Sequence, residues 1–200
     1  MQDQNNDRND PKINIISDFR PSAPETLMKF MNNRRYKGTF IDFGCADGYF
    51  TFTSESYFNH VIGVDVSITT INELLKTKPE HSEAKFIRSH NYFTALPDSS
   101  ADVIFMSHLL HKITDMKQFI KEIKRLLKED GELWILEPKH IINTISQNDE
   151  PNNIITQNEL MTRLKDDELH FLKHVDIDEN YYGAKFTKNE DLFMRFYRQT

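Results

Sequence analysis

From residue 39 onward, short apolar runs alternate with amphipathic stretches. The runs Thr39–Phe43, Val61–Val66, Lys85–Arg88, Asp102–Ser107 and Glu132–Leu136 have the length and the β-branched and aromatic content of buried strands. Helices are predicted between them, over about 48–57, 68–77 and 115–128. The last is the most regular. Met116, Phe119, Ile120, Ile123, Leu126 and Leu127 recur at helical spacing, Asp115 stands at the N-cap, and Gly131 is placed to end the helix at positive φ. Strands that alternate with helices need right-handed crossovers. The pattern therefore predicts an α/β fold, a doubly wound parallel sheet with helices on both faces.

The two ends read differently. Residues 1–11 are rich in Asn, Asp and Gln and are expected to be a disordered tail, with a single domain over 12–200. A first helix is signalled by the Ser22–Glu25 capping box and the apolar face Leu27, Met28, Phe30 and Met31. Arg34, Arg35 and Lys37 suit its C-terminal end, and Gly38 closes it. A second box, Thr156 to Glu159, opens a helix over Leu160–Leu164. Beyond residue 170, FLKHVDIDENYY and EDLFMRFYRQ, joined through Gly183 and Asn189, read as a terminal antiparallel hairpin. The domain thus divides into an N-terminal helix or lid (12–38), a ligand-binding core (39–137), a second lid candidate (138–170) and the hairpin (171–200).

Composition narrows the function. Among 200 residues, 25 Lys and Arg face 31 Asp and Glu, a formal net charge of −6, which speaks against a general nucleic-acid or anionic-membrane binder. The single cysteine, Cys45, rules out a disulfide framework and a cysteine-built zinc site. No apolar run reaches the length of a membrane span, and the N-terminus has no signal-peptide core, so a cytoplasmic protein is expected. Of six glycines, four (Gly38, Gly44, Gly48 and Gly63) fall within residues 38–63.

That cluster carries the chemistry. TFIDFGCADGYF runs strand, glycine turn, helix start; Gly44 lets the backbone turn and approach a ligand, and Gly48 lets the next helix begin close by. Asp65, at the end of the next strand, stands seventeen residues after Gly48 and can accept hydrogen bonds from both hydroxyls of a ribose. A dinucleotide fingerprint wants glycine at 44, 46 and 49, but the chain has Gly44, Ala46 and Tyr49. Asp42 gives a pyrophosphate nothing, whereas a cationic ligand tolerates it. S-adenosylmethionine, with a sulfonium, an ammonium and no phosphate, fits both acids.

These residues resemble the class I S-adenosylmethionine-dependent methyltransferases, most closely the small-molecule type with a D-x-G-x-G-x-G motif. DFGCADG at 42–48 matches that motif, with Ala46 departing from its middle glycine, and VDVS at 64–67 matches the ribose-binding strand end. ALPDSSADVIFMSHLLHKITD at 95–115 and RLLKEDGELWILEP at 125–138 resemble the family's fourth and fifth strands; Glu129 and Asp130 stand where proline and glycine are usual. The resemblance covers roughly residues 38–140. It implies a Rossmann-like, mostly parallel seven-stranded sheet with a C-terminal antiparallel hairpin, and S-adenosylmethionine as cofactor. It also implies that Gly44, Cys45 and Gly48 line the methionine part of the cofactor, that Asp42 steadies the turn or reaches the amino group through water, and that Asp65 holds the ribose. Val66 would flank the adenine and the Ser107 main chain the methionine end. The family's usual adenine-contacting acid is missing from SHNYFTALP, so Asn91 is the expected substitute.

Methyl transfer is an in-line displacement that needs positioning and exclusion of water, with a general base only for a protonated nucleophile. His108 and His111 follow the fourth strand and are the candidate bases; equally, either can cap the strand end or pack beneath the next helix. Phe19, Tyr36, Phe50, Tyr92 and Phe93 can wall a substrate pocket or belong to the core. SHLLH is not the Asn/Asp-Pro-Pro-Tyr of amino-directed nucleobase enzymes, and there is no Pro-Cys nucleophile for C5 pyrimidines. The expected acceptor is a small molecule methylated at O, N or S, with no nucleic-acid or membrane partner. A protein or peptide methyltransferase, a non-catalytic cofactor-binding protein and a non-methylating enzyme of the same fold remain the alternatives.

Overall fold

The computed structural model describes residues 20–32, 36–139, 156–165 and 169–198. The elements in chain order are α1 (Ala23–Met31), β1 (Thr39–Phe43), α2 (Tyr49–Ser54), β2 (His60–Asp65), α3 (Ile68–Thr77), β3 (Lys85–Arg88) and β4 (Ala101–Ser107). A short 3-10 turn (Leu110–Lys112) precedes α4 (Met116–Leu126), β5 (Leu127–Pro138), α5 (Gln157–Lys165), β6 (His170–Asp176), β7 (Tyr181–Thr187) and α6 (Glu190–Tyr197). The seven strands form one sheet in the order β3-β2-β1-β4-β5-β7-β6. The first five pair in parallel, and β7 is antiparallel to both β5 and β6. Chain direction reverses its spatial progress at β1 and β4, so their carboxyl ends open a crevice at the switch point.

Alternate residues along the central strands feed two separate cores. Ile41, Ile104, Met106, Leu133 and Ile135 pack with Phe119, Ile120 and Ile123 of α4 and with Leu160 and Leu164 of α5. Phe40, Val103, Phe105, Trp134 and Leu136 face the other way, onto Leu27 and Phe30 of α1, Phe50 of α2 and Ile71 and Leu74 of α3. Phe30 stacks on Trp134 at 5.2 Å and meets Phe105 edge-on at 5.8 Å, which seats α1 against the middle of the sheet. Among the described residues no helix is long and apolar enough to cross a membrane.

Local signals are honoured unevenly. Asp115 Oδ1 accepts from Gln118 N at 2.9 Å, and Thr156 and Glu159 bond reciprocally as a capping box. Ser22 precedes α1 but its side chain caps nothing, and the helix ends at Asn32 in the left-handed region (φ 50) rather than at Gly38. Gly38 (φ 122) instead turns the chain into β1, where a side chain would run into the Asp102 carboxylate. Gly131 does not stop α4 either. It lies inside β5 without positive φ, beside the irregular Ala101/Val103 register, where a Cβ would sit 3.0 Å from the Ala101 carbonyl.

The larger departure is at the C-terminus. The antiparallel hairpin is present, but its second strand is YYGAKFT, and EDLFMRFY is helix α6. Asn189 Oδ1 accepts from Leu192 N at 3.0 Å and acidic residues fill the first turn, so an N-cap outweighs the β propensity of the aromatics. Residues 1–11, 140–155 and Phe19 lie outside the described residues. Within the expected second lid, α5 packs Leu160 and Leu164 into the core.

Candidate functional site

β1 delivers the chain to a turn that only small residues can make. Gly44 and Gly48 have φ of 86° and 78°, and Ala46 between them also adopts positive φ (45°). The Gly44 and Cys45 N–H groups both donate to the Val64 carbonyl, at 2.7 and 3.0 Å, which ties the turn to the end of β2. A Cβ on Gly44 would approach Leu109 Cδ1 to 3.1 Å, so the side chain after β4 lies directly against the turn. One on Gly48 would meet Phe52 at 2.6 Å. Leu74 of α3 lies 3.0 Å from the same position, so Gly48 keeps α2 and α3 close beneath the turn.

Asp65 is held at the strand end by the turn itself. Its Oδ2 accepts from Ala46 N at 3.2 Å and its Oδ1 from Ser67 N at 2.8 Å. Each oxygen keeps lone-pair capacity toward the cavity, as a diol-binding carboxylate needs. The cavity, about 800 Å³, opens above the carboxyl ends of β1, β2 and β4 and falls in the usual range for small-ligand sites. Asp42, Gly44, Cys45, Asp65, Val66, Asn91, Ser107 and His108 all reach its wall. Only the backbone of His111, in the 3-10 turn, is described, and its side chain lies outside the described residues.

The electrostatics favour a cation. Asp42 is buried and accepts from Thr51 Oγ1 at 2.6 Å; burial, with Asp47 and Asp65 nearby, raises its pKa to about 7 against the pull of the Thr51 hydroxyl. Burial first, and then Asp42, push the Cys45 thiol well above its ordinary range, so no thiolate nucleophile forms there. Of these acids only Asp47 has a cationic partner shown, Arg20 at 2.7 Å. A phosphate would be repelled by this set; a sulfonium or ammonium would be attracted. The residues present therefore fit S-adenosylmethionine.

Around His108 the chain is strained. Its φ is 51°, its N–H donates to Leu136 O at 3.0 Å, and its ring sits 5.1 Å from that of Tyr181, with Nδ1 3.5 Å from Ser107 Oγ. Glu137, buried at the end of β5, accepts from Leu110 N at 3.2 Å and holds the same loop; burial raises its pKa to about 7. Several wall residues gave no sequence signal. Arg20 lies 5.5 Å over the Tyr49 ring, and Tyr49 Oη accepts from Ala23 N at 3.0 Å, so the segment before α1 closes one rim. Of the five aromatics weighed from sequence, Phe50 and Tyr92 reach the cavity, Tyr36 packs on the core cluster and Phe93 is exposed.

A glycine turn after β1, an acid ending β2 and a switch-point cavity are the arrangement in which open α/β sheets place nucleotide-like ligands. The comparisons carry this further. Residues 41–135 match the family described as methyltransferase domain. The chain is 29% identical over 126 residues to "Probable S-adenosylmethionine-dependent methyltransferase CRG1" of Saccharomyces cerevisiae, covering 58% of this chain and 41% of that protein. It is 22% identical over 103 residues to the uncharacterized methyltransferase YcgJ of Bacillus subtilis, covering 48% and 39%. The crystal structure of an S-adenosylmethionine-dependent methyltransferase from Aquifex aeolicus superposes with a TM-score of 0.68 at 20% identity, over 88% of this chain and 97% of that one. Residues 41–135, just under half of the chain, thus resemble a methyltransferase domain, and the fold is the one seen in that crystal structure. The chain spans less than half the length of these two curated relatives.

Proposed function

We propose that the protein transfers a methyl group from S-adenosylmethionine to O, N or S of a small-molecule acceptor. The observation that carries this reading is Asp65: a carboxylate fixed by the glycine turn's own backbone, in a cavity whose other acids favour a cation. When bound, the cofactor supplies an electrophilic methyl carbon. Asp65 would accept from the ribose hydroxyls, and Leu109, pressed on Gly44, shapes the wall at the turn. Asp42, ionised, stabilises positive charge over the turn. His108 stands in the cavity wall at the end of β4 and takes the proton of a protonated acceptor. A small acceptor is supported by the rim that Arg20 and Tyr49 close; a cytoplasmic location, without nucleic-acid or membrane partners, is supported by the acidic, single-cysteine composition.

Calorimetry with S-adenosylmethionine tests the site. Asp65→Ala removes two charge-assisted hydrogen bonds to ligand and is expected to weaken binding about a hundredfold; equal affinity in the two proteins would sink the reading. Labelled cofactor incubated with a cell extract then reports the acceptor class, with label expected in the small-molecule fraction and not on protein.

A further inference from the structure

Residues 90–93, which follow β3, make a two-residue reverse turn. His90 N–H donates to Phe93 O at 2.8 Å and Phe93 N–H to His90 O at 2.9 Å, and the central residues Asn91 and Tyr92 have φ of 46° and 71°. Turns with two positive φ values favour Asn-Gly. Asn91 satisfies the first position, whereas Tyr92 occupies the one that glycine prefers, and an aromatic side chain stays there only where its surroundings fix it.

The surroundings are on the far side of the cavity. Tyr92 Oη accepts from Thr114 N at 2.9 Å and shares a second hydrogen bond with Thr114 Oγ1 at 3.0 Å, while its ring meets Phe119 edge-on at 5.4 Å. Hydrogen bonding from Thr114 also draws the phenol pKa down. The base of the same loop is pinned separately: Glu122 Oε1 accepts from Thr94 N at 2.9 Å, and Arg125 Nη1 donates to Leu96 O at 2.8 Å. Only the tip depends on Tyr92. Both Tyr92 and Thr114 line the cavity that Asp65 and Val66 also line.

We infer that Tyr92 is the positioning residue for the nucleoside end of the cavity. By joining the loop after β3 to the loop before α4, it sets the width of the cleft into which the base extends from the ribose at Asp65. The strained turn is retained because it aims the phenol across the opening. This inference rests on the reading of the cavity as the S-adenosylmethionine site.

Tyr92→Phe keeps the ring on Phe119 and removes the phenol. Calorimetry with S-adenosylhomocysteine and with 5′-methylthioadenosine, which lacks the amino-acid end, is expected to show the same loss for both, about fivefold to tenfold, the equivalent of one hydrogen bond. The melting midpoint without ligand should stay within about 2 °C of wild type. Thr114→Val, which keeps the N–H bond to the phenol, should lose about twofold. Affinity of Tyr92→Phe within about twofold of wild type for both ligands overturns the inference, as does a fall in melting midpoint with unchanged affinity. Asp65→Ala measured in parallel separates the two levels. If it binds as wild type does, the site itself is misplaced; if it fails to bind while Tyr92→Phe is unaffected, only the role of Tyr92 falls.

Discussion

Asp42 is the group whose ionisation the fold resists and the proposed cationic ligand would need. Its pKa rises from 3.8 to about 7, chiefly by burial, while the unfolded chain keeps an ordinary carboxyl. Between about pH 4 and pH 7 the native state holds a proton that the unfolded chain has released, so stability falls as pH rises through that window and levels off above it. At about 1.4 kcal/mol per pKa unit, the whole window removes up to about 4 kcal/mol. Asp42→Asn retains an oxygen to accept from Thr51 Oγ1 and has no charge to desolvate. Urea unfolding at about pH 5 and about pH 8 should show wild type losing about 3 kcal/mol more than the variant. Glu137, raised in the same direction, contributes equally to both proteins and cancels from the difference. The ligand should report the opposite preference. Wild-type affinity for S-adenosylmethionine is expected to rise between about pH 6 and about pH 8, approaching tenfold per unit at the lower end, while that of Asp42→Asn stays flat. Parallel stability slopes in the two proteins would refute the assignment of this charge to Asp42.

Two further substitutions probe the frame. Lys185→Met strands the buried Glu132 carboxylate, which now accepts from Lys185 at 2.8 Å, Trp134 Nε1 at 2.7 Å and Tyr36 Oη at 3.1 Å. Urea unfolding should show a loss of about 3–5 kcal/mol, largely recovered when Glu132→Gln is added; a double variant as weak as the single would exclude the stranded charge as the cause. Gly48→Ala forces a side chain onto φ 78° and within 2.6 Å of Phe52, with an expected loss of about 1–3 kcal/mol; an unchanged urea midpoint would contradict the strain argument.

What the chain discloses in advance is what short-range physics controls. The glycine turn, Asp65 at the strand end, the Asp115 cap and the Thr156–Glu159 box each depend on a few neighbouring residues, and each is found where the pattern puts it. The C-terminal helix is misread for the complementary reason. EDLFMRFY has strand-like aromatics, and its helical state is set by one cap at Asn189 and by packing of Phe193 on His170 of β6. The site divides along the same line. Its floor comes from two short motifs, the glycine turn and the end of β2, each readable by itself. Its walls come from contacts such as Tyr92 with Thr114, Leu109 on Gly44 and Arg20 with Asp47, which join residues 20 or more positions apart and leave no periodic trace. The buried Glu132–Lys185 pair, 53 residues apart, is invisible for that reason too.

The last strand in the chain is not the last in the sheet. β7 lies between β5 and β6, paired with β5 from Glu132↔Thr187 to Pro138↔Tyr181, and all seven of its residues are buried. During synthesis, β5 therefore stands as a long, apolar open edge until residues 181–187 have been made. A chain stopped before Tyr181 would present that edge to its neighbours. For this protein, a late truncation is an aggregation hazard even though every residue of the ligand cavity lies upstream of it.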